Sequence, residues 1–211
     1  MSRLAILGAS GHGKVVADAA ECCGWQVVDF FDDAWPQLGS NGAWQVVGDT
    51  AMLKSMLEAY DGVVVAIGNN AIRYSKLLEL EAAGANLCNV LHPAATISRR
   101  AVLGNGVVAF AGVVVNADAH IGLGAILNTG CSIDHDCVLG AGVHVSPGAR
   151  LAGGVRVGDL SWIGIGASVR QLIHIGYDVM VGAGAVVVSD IADRLTVVGT
   201  PARPLVDRSA I

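Results

Sequence analysis

Asp134-His135-Asp136 places an imidazole between two carboxylates. Imidazole exchanges protons near neutral pH. An adjacent acid can orient the ring and stabilise its cation, so the triplet suits a general base. A second cluster suits anions. Gly8-Ala9-Ser10-Gly11-His12-Gly13 stands between an apolar run and a helical stretch. Glycines there let backbone N–H groups and a helix N-terminus reach a phosphate. The spacing is not the Gly-x-Gly-x-x-Gly of dinucleotide sites. Asp32-Asp33 closes a second apolar run, where an acid can accept hydrogen bonds from a uracil ring or ribose hydroxyls. Gly68, Asn69, Asn70 and Arg73 follow a third. Each feature also has a plainer reading: a solvated histidine, glycines that any strand-to-helix turn needs, an acidic surface turn.

The elements that must carry the anion cluster alternate. Leu4–Leu7, Val27–Phe31 and Val63–Ile67 read as strands, and 14–23, 50–60 and 71–83 as helices. That order predicts a small βαβαβ, Rossmann-like domain with a parallel sheet. Gly11-His12-Gly13, Asp32-Asp33 and Gly68 to Arg73 then converge at one sheet edge, which favours a nucleotide-sugar pocket.

The composition breaks near residue 92. All three lysines and all four glutamates lie before it, and glycine, valine and isoleucine dominate after it. His92-Pro93 marks the joint, giving domains 1–91 and 92–211. In the second, a step of six from Ile97 to Val187 meets Ile, Leu or Val at fifteen of sixteen positions, with Ala109 the exception. A mostly small residue follows four places later, among them Ala119, Cys131, Cys137 and Ala149. A period of six fits neither a helix face nor plain strand alternation. It fits a solenoid of three six-residue faces, eighteen residues to a coil, that buries one continuous core. On this lattice His135 lies between Ala117 and Gly153, both small, which leaves room beside the ring. His144 stacks between Ile126 and Trp162.

The lattice resembles the hexapeptide-repeat transferases over residues 97–192, and Val198-Gly199-Thr200-Pro201-Ala202-Arg203 resembles the tail that follows their prism. With the N-terminal glycine turn, Asp32-Asp33 and Ile67-Gly68-Asn69-Asn70, nearly the whole chain resembles one branch. That branch holds the bacillosamine-pathway N-acetyltransferases and the sialic acid O-acetyltransferases. The resemblance implies a left-handed parallel β-helix and a homotrimer with acetyl-CoA between neighbouring prisms. It implies His135 as the base, with Asp136 steering it where close relatives often carry glutamate. It puts His144 near the acetyl group and Asn128 near the acceptor. It points to the coils around Gly153, Ile165, Gly166 and Ala183 for the cofactor. The expected reaction is direct N-acetylation of a UDP-linked 4-amino-deoxy sugar, with sialic acid O-acetylation as the alternative.

Other classes fit poorly. Net charge is −5 with no basic run, against nucleic-acid binding. Five cysteines without a Cys-x-x-Cys pair oppose a disulfide framework or zinc knuckle. The prism's nearest histidine pair, His135 and His144, is nine apart, too wide for the zinc carbonic anhydrase of this architecture, so no metal is expected. No apolar run approaches the roughly 20 residues of a membrane span. A cytoplasmic protein is the simplest expectation.

Overall fold

The computed structural model describes residues 1–205; the end of the second expected domain, 206–211, lies outside the described residues. The N-terminal part contains β1 (Arg3–Leu7), α1 (Gly11–Cys22), β2 (Val27–Phe31), β3 (Ser40–Asn41), β4 (Trp44–Gly48), α2 (Thr50–Ser55), β5 (Gly62–Val65) and α3 (Asn70–Ala82). The sheet order is β3-β4-β2-β1-β5, with β1 parallel to both β2 and β5. Its interior is the apolar run that marked each strand: Leu4, Ile6, Phe30 and Val64 are fully buried.

Two local readings need correction. The sheet has five strands rather than three, because β3 and β4 form a hairpin around Gly42, whose φ is +67°. Pro36, Gly39 and Gly42 make this segment look like a loop. Tertiary contacts make it a strand: Trp44 meets Phe30 edge-to-face at 6.2 Å and donates its indole N–H to Glu21 at 2.8 Å. The second helix stops at Ser55, and a short 3₁₀ turn, Leu57–Ala59, follows. Tyr60 then leaves the helical path, and its hydroxyl donates to Asp29 Oδ2 at 3.0 Å.

The remainder is a left-handed parallel β-helix of two-residue rungs. Face I runs from Thr96–Ile97 to Val186–Val187, and face II from Val102–Leu103 to His174–Ile175. Face III runs from Val90–Leu91 through His144–Val145 to Thr196–Val198, with Arg203–Pro204 added antiparallel. Rung partners are eighteen residues apart, as in Val115 with Ile133 and His144 with Trp162, and sixteen apart only at the last coil, where Met180 meets Thr196. The second residue of each rung between Ile97 and Val187 is the periodic aliphatic (Ala109 once), and it points into the core. The residues four places on, including Cys131 and Cys137, are buried at the corners from Val107 onward, and Ala101 is half-buried. Each buried aliphatic contributes roughly 1.5–3 kcal/mol. Leu91 already keeps the six-residue step, and its rung pairs with Val108–Ala109.

Between rungs the chain turns through a left-handed residue. Glycine holds it at 112, 130, 148, 166 and 184 on the III/I corner and at 106, 124 and 142 on the II/III corner. The second set has a further task, since α3 lies along it. Asn70 Nδ2 donates to Leu160 O at 2.8 Å. Arg73 donates to Gly142 O at 2.6 Å and to Gly124 O at 2.8 Å. Leu77 packs on Gly124 and Gly106. A helix turn rises about 5.4 Å and stacked strands lie about 4.8 Å apart. Steps of three and four residues along α3 therefore keep pace with successive coils. Among the described residues, no helix is long and apolar enough to cross a membrane.

This docking makes Gly124→Ala and Gly130→Ala unequal. Both residues have φ near +65°, but a Cβ at 124 meets buried Leu77 and one at 130 meets nothing within 4 Å. Gly130→Ala should cost only left-handed strain, about 1–2 kcal/mol. Gly124→Ala should cost about 1–3 kcal/mol more from overpacking. Urea unfolding of both variants measures the difference; equal losses would remove the corner contact as its cause.

Candidate active site

His135 sits on the I/II corner, in the turn between Ile133 and Val138. Asp136 holds the left-handed corner position with φ +60°, a conformation that Asp tolerates better than most residues. That backbone turns its carboxylate back onto the ring, and Oδ2 lies 2.7 Å from His135 Nδ1. The short arm of aspartate therefore suffices. With Nδ1–H donated to Asp136, Nε2 is left free to take a proton. The hydrogen bond to Asp136, with the charge of Asp134, raises the imidazole above its ordinary pKa of 6.5.

The turn is braced by Asp134, whose Oδ1 accepts from the His135 backbone N–H and from Asn116 Nδ2, both at 2.8 Å. Those bonds hold the Asp134 carboxyl below the usual carboxylate range. Asn116 was not among the expected residues, although it stands one coil before Asp134. Below the ring lies Gly153, where a Cβ would come within 2.6 Å of His135 Cε1 and Nε2. The space at Gly153 thus seats the imidazole itself rather than leaving room for a ligand beside it. In the single chain His135 and Asp136 side chains are 62% and 65% exposed, too open to keep water from a reacting thioester.

The cleft at the sheet edge is elsewhere. It has a volume of about 270 Å³ and is lined by Gly8, Ser10, Asp32, Asp33, Gly68 and Lys76, among others. Gly8 has φ +112°, and Gly13 packs so closely on Gly8 O that a Cβ has no space. Gly11, in the first turn of α1, is open. Asp32 supports this turn: its oxygens accept from Ala9 N at 2.8 Å and Ala34 N at 2.9 Å. Asn41, in the unforeseen hairpin, donates to Ser10 O at 3.0 Å. Asp33 faces the cleft, held low by hydrogen bonds from Thr50 and by Lys76 at 3.1 Å.

The residues expected after β5 have structural duties. Asn69 caps α3 by accepting from Ile72 N, and buried Asn70 bonds Leu160 O and Arg73. Arg73 has all five of its donors engaged inside the protein and none left for a ligand. Direct substrate contact by its guanidinium is thereby replaced by a supporting role. Gly68 remains at the cleft wall.

His144 lies on face III under the N-terminal part, 6% exposed. Its ring packs on Trp162 at 4.3 Å, and Trp162 Nε1 is fixed by Ser146 Oγ at 2.7 Å. Asn128 Nδ2 donates to His144 Nε2 at 3.3 Å, which leaves the proton on Nδ1, where no partner receives it. His12 reaches in from α1, its ring centroid 6.4 Å from that of His144. Burial first, then the charge of Arg73, pushes His144 down to about 3 and His12 to about 4. Both rings are neutral at pH 7. Ile165, Gly166 and Ala183 are exposed on the III/I corner. The structure thus joins His12, Asn128 and His144 but sets His135 and Gly153 on one edge and Ile165, Gly166 and Ala183 on another. Among the described residues, no three His, Cys, Asp or Glu side chains converge as a metal site.

Residues 3–80 match the model of the PglD N-terminal domain family. The acetyltransferase domain of PglB from Neisseria gonorrhoeae, solved with acetyl coenzyme A, is 45% identical, with 96% of this chain and 98% of that one covered and a TM-score of 0.93. The chain belongs to the hexapeptide-repeat acetyltransferases of the bacillosamine-pathway branch. PerB from Caulobacter crescentus, solved with CoA and GDP-perosamine, is 40% identical over 97% of this chain and 98% of that one, at a TM-score of 0.92. A UDP-N-acetylbacillosamine N-acetyltransferase of Bacillus subtilis is 35% identical over 113 residues, 53% of this chain and 52% of the relative. The match spans about half the length of that curated relative.

For an acetyltransferase of this branch the ion pair at the I/II corner makes a direct prediction. Asp136→Asn removes the charge that holds the proton on His135, so its titration should fall toward about 6.5. The acid limb of the kcat/KM profile should move down with it. Proton NMR of the His135 ring checks this, and an unmoved titration would mean that the pair is not formed in solution.

Proposed function

We propose that this chain transfers acetyl from acetyl-CoA to the 4-amino group of a UDP-linked amino-deoxy sugar, as a homotrimer whose sites lie between subunits. One observation carries the reading. His135 stands on the I/II corner, whereas His144 and Asn128 meet His12 of α1 at face III, so that face II separates the two groups. Neither half is a complete site. A neighbouring copy can bring its I/II corner against this chain's face III, which covers the exposed His135-Asp136 pair. The same packing supplies the III/I corner, with Ile165, Gly166 and Ala183, as an open wall for the pantetheine arm.

The chemistry follows from the two protonation states. The amine nitrogen attacks the thioester carbonyl carbon, and its extra proton passes to His135 Nε2. The tetrahedral intermediate then expels the CoA sulfur by C–S cleavage, and the imidazolium returns that proton to the thiolate. Neutral His144 offers its free Nδ1–H to the thioester oxygen as negative charge develops there. The glycine turn and the start of α1 receive the diphosphate, and Asp33 with Lys76 meets the base or ribose. No acyl-enzyme is needed: Cys131 is fully buried at a corner, and burial pushes its thiol up to about 12. A reducing compartment, the cytoplasm, suits the exposed thiols of Cys22 and Cys23.

Free-thiol release from acetyl-CoA tests the reaction, with UDP- and GDP-linked 4-amino sugars and sialic acid offered in parallel. Release should be fastest with the UDP amino sugar and fall at least about 100-fold in His135→Ala. A GDP preference would correct the nucleotide, and release with sialic acid alone would move the reading to O-acetylation. Sharing of the site has its own check. Coexpressed His135→Ala and Gly11→Asp chains, each inactive alone, should recover part of the activity in mixed trimers. Mixed trimers without activity would place base and cleft in one subunit.

A further inference from the structure

Arg73 heads the large, fully buried side chains of the molecule at 1% exposed, and among the described residues no carboxylate pairs with it. Its charge is met only by oxygens of carbonyls and one amide. Nη1 donates to Ile67 O at 2.9 Å and Gly68 O at 3.2 Å, both on the cleft wall. Nε and Nη2 donate to Gly124 O and Gly142 O, on two successive coils, and Gly142 leads directly into the His144 rung. Nη2 also bonds Asn70 Oδ1 at 2.9 Å. Desolvation lowers the guanidinium to about 10. A buried cation without a counterion is costly, and a leucine-like side chain could fill the same corner more cheaply. The arrangement retains what only a guanidinium supplies, a planar fork with five fixed donors and a permanent charge.

We propose that Arg73 is a positioning residue for acetyl transfer: its fork sets the nucleotide cleft at a fixed height against the His144 coil and leaves a net positive charge behind both. This rests on the acetyl-transfer reading above. The fork acts through the Ile67–Gly68 wall, so the acceptor amine is presented at one rung and not at the next. The charge acts on the anionic nucleotide and on the two rings, whose titrations it lowers after burial.

The test uses the full chain with Arg73→Lys, Arg73→Met and Leu77→Ala. Leu77→Ala loosens the same corner without touching fork or charge. Both arginine variants should raise KM for the nucleotide sugar at least about tenfold, the loss of one charge-assisted hydrogen bond. KM for acetyl-CoA should stay within about twofold, less than the weakest hydrogen-bond loss. In the unliganded protein Arg73→Met should shift the His12 and His144 titrations upward, whereas Arg73→Lys and Leu77→Ala leave them in place. If the arginine variants lose only kcat, no differently from Leu77→Ala, and the rings titrate as in the parent, the guanidinium merely holds the fold and the proposal falls. Should Arg73→Met not fold, the KM split in Arg73→Lys decides alone. A parent protein that turns over no nucleotide amino sugar would sink the acetyl-transfer reading, and the ring titration would still judge the charge.

Discussion

Everything in this molecule depends on the hydrogen-bonded spacing of one coil on the next. Backbone N–H and C=O groups of rungs eighteen residues apart pair along all three faces. That spacing puts the corners at regular heights of about 4.8 Å. The core fills because an aliphatic side chain returns to each face at each height. The N-terminal part docks because the turns of α3 nearly match the same interval. Asn70, Arg73 and Leu77 read one corner carbonyl or glycine after another. A rigid ruler is thereby laid between the cleft at the sheet edge and the prism.

The same regularity separates the chemical groups. Nine residues are half a coil, so they lead from the I/II corner at His135 to the opposite face, where His144 stands. His135 is exposed, tied to Asp136 and raised; His144 is buried, stacked on Trp162 and lowered. One residue type thus titrates in opposite directions at two places, with environment as the only difference. An isolated prism cannot bring these groups together by flexing, because its backbone is hydrogen-bonded along every face.

Much of this was legible in the chain. The hexad period names the inward residue of every rung, the small corner residues and the order of the coils, since a strictly repeating backbone turns residue number into position. Asn116 could have been found by the same count of eighteen that placed Ala117 and Gly153 around His135. The glycine turn and the acids at strand ends were visible because strand-to-helix loops gather at one edge of a parallel sheet. The β3–β4 hairpin was not visible, because its pairing rests on Trp44 packing against Phe30 and not on any local pattern.

By itself the sequence determined the architecture, and it singled out His135 and the sheet edge of the glycine turn, because each follows from periodicity or local chemistry. The tertiary structure decided what the polar residues do. Asp32, Asn69, Asn70 and Arg73 look like ligand contacts in the sequence, yet their donors and acceptors are used to hold a turn, a helix and two coils. Gly153 proved to be the seat of the His135 ring. Protonation was decided there too. Burial and the charge of Arg73 are three-dimensional facts that push His12 and His144 down, whereas the hydrogen bond to Asp136 holds His135 up.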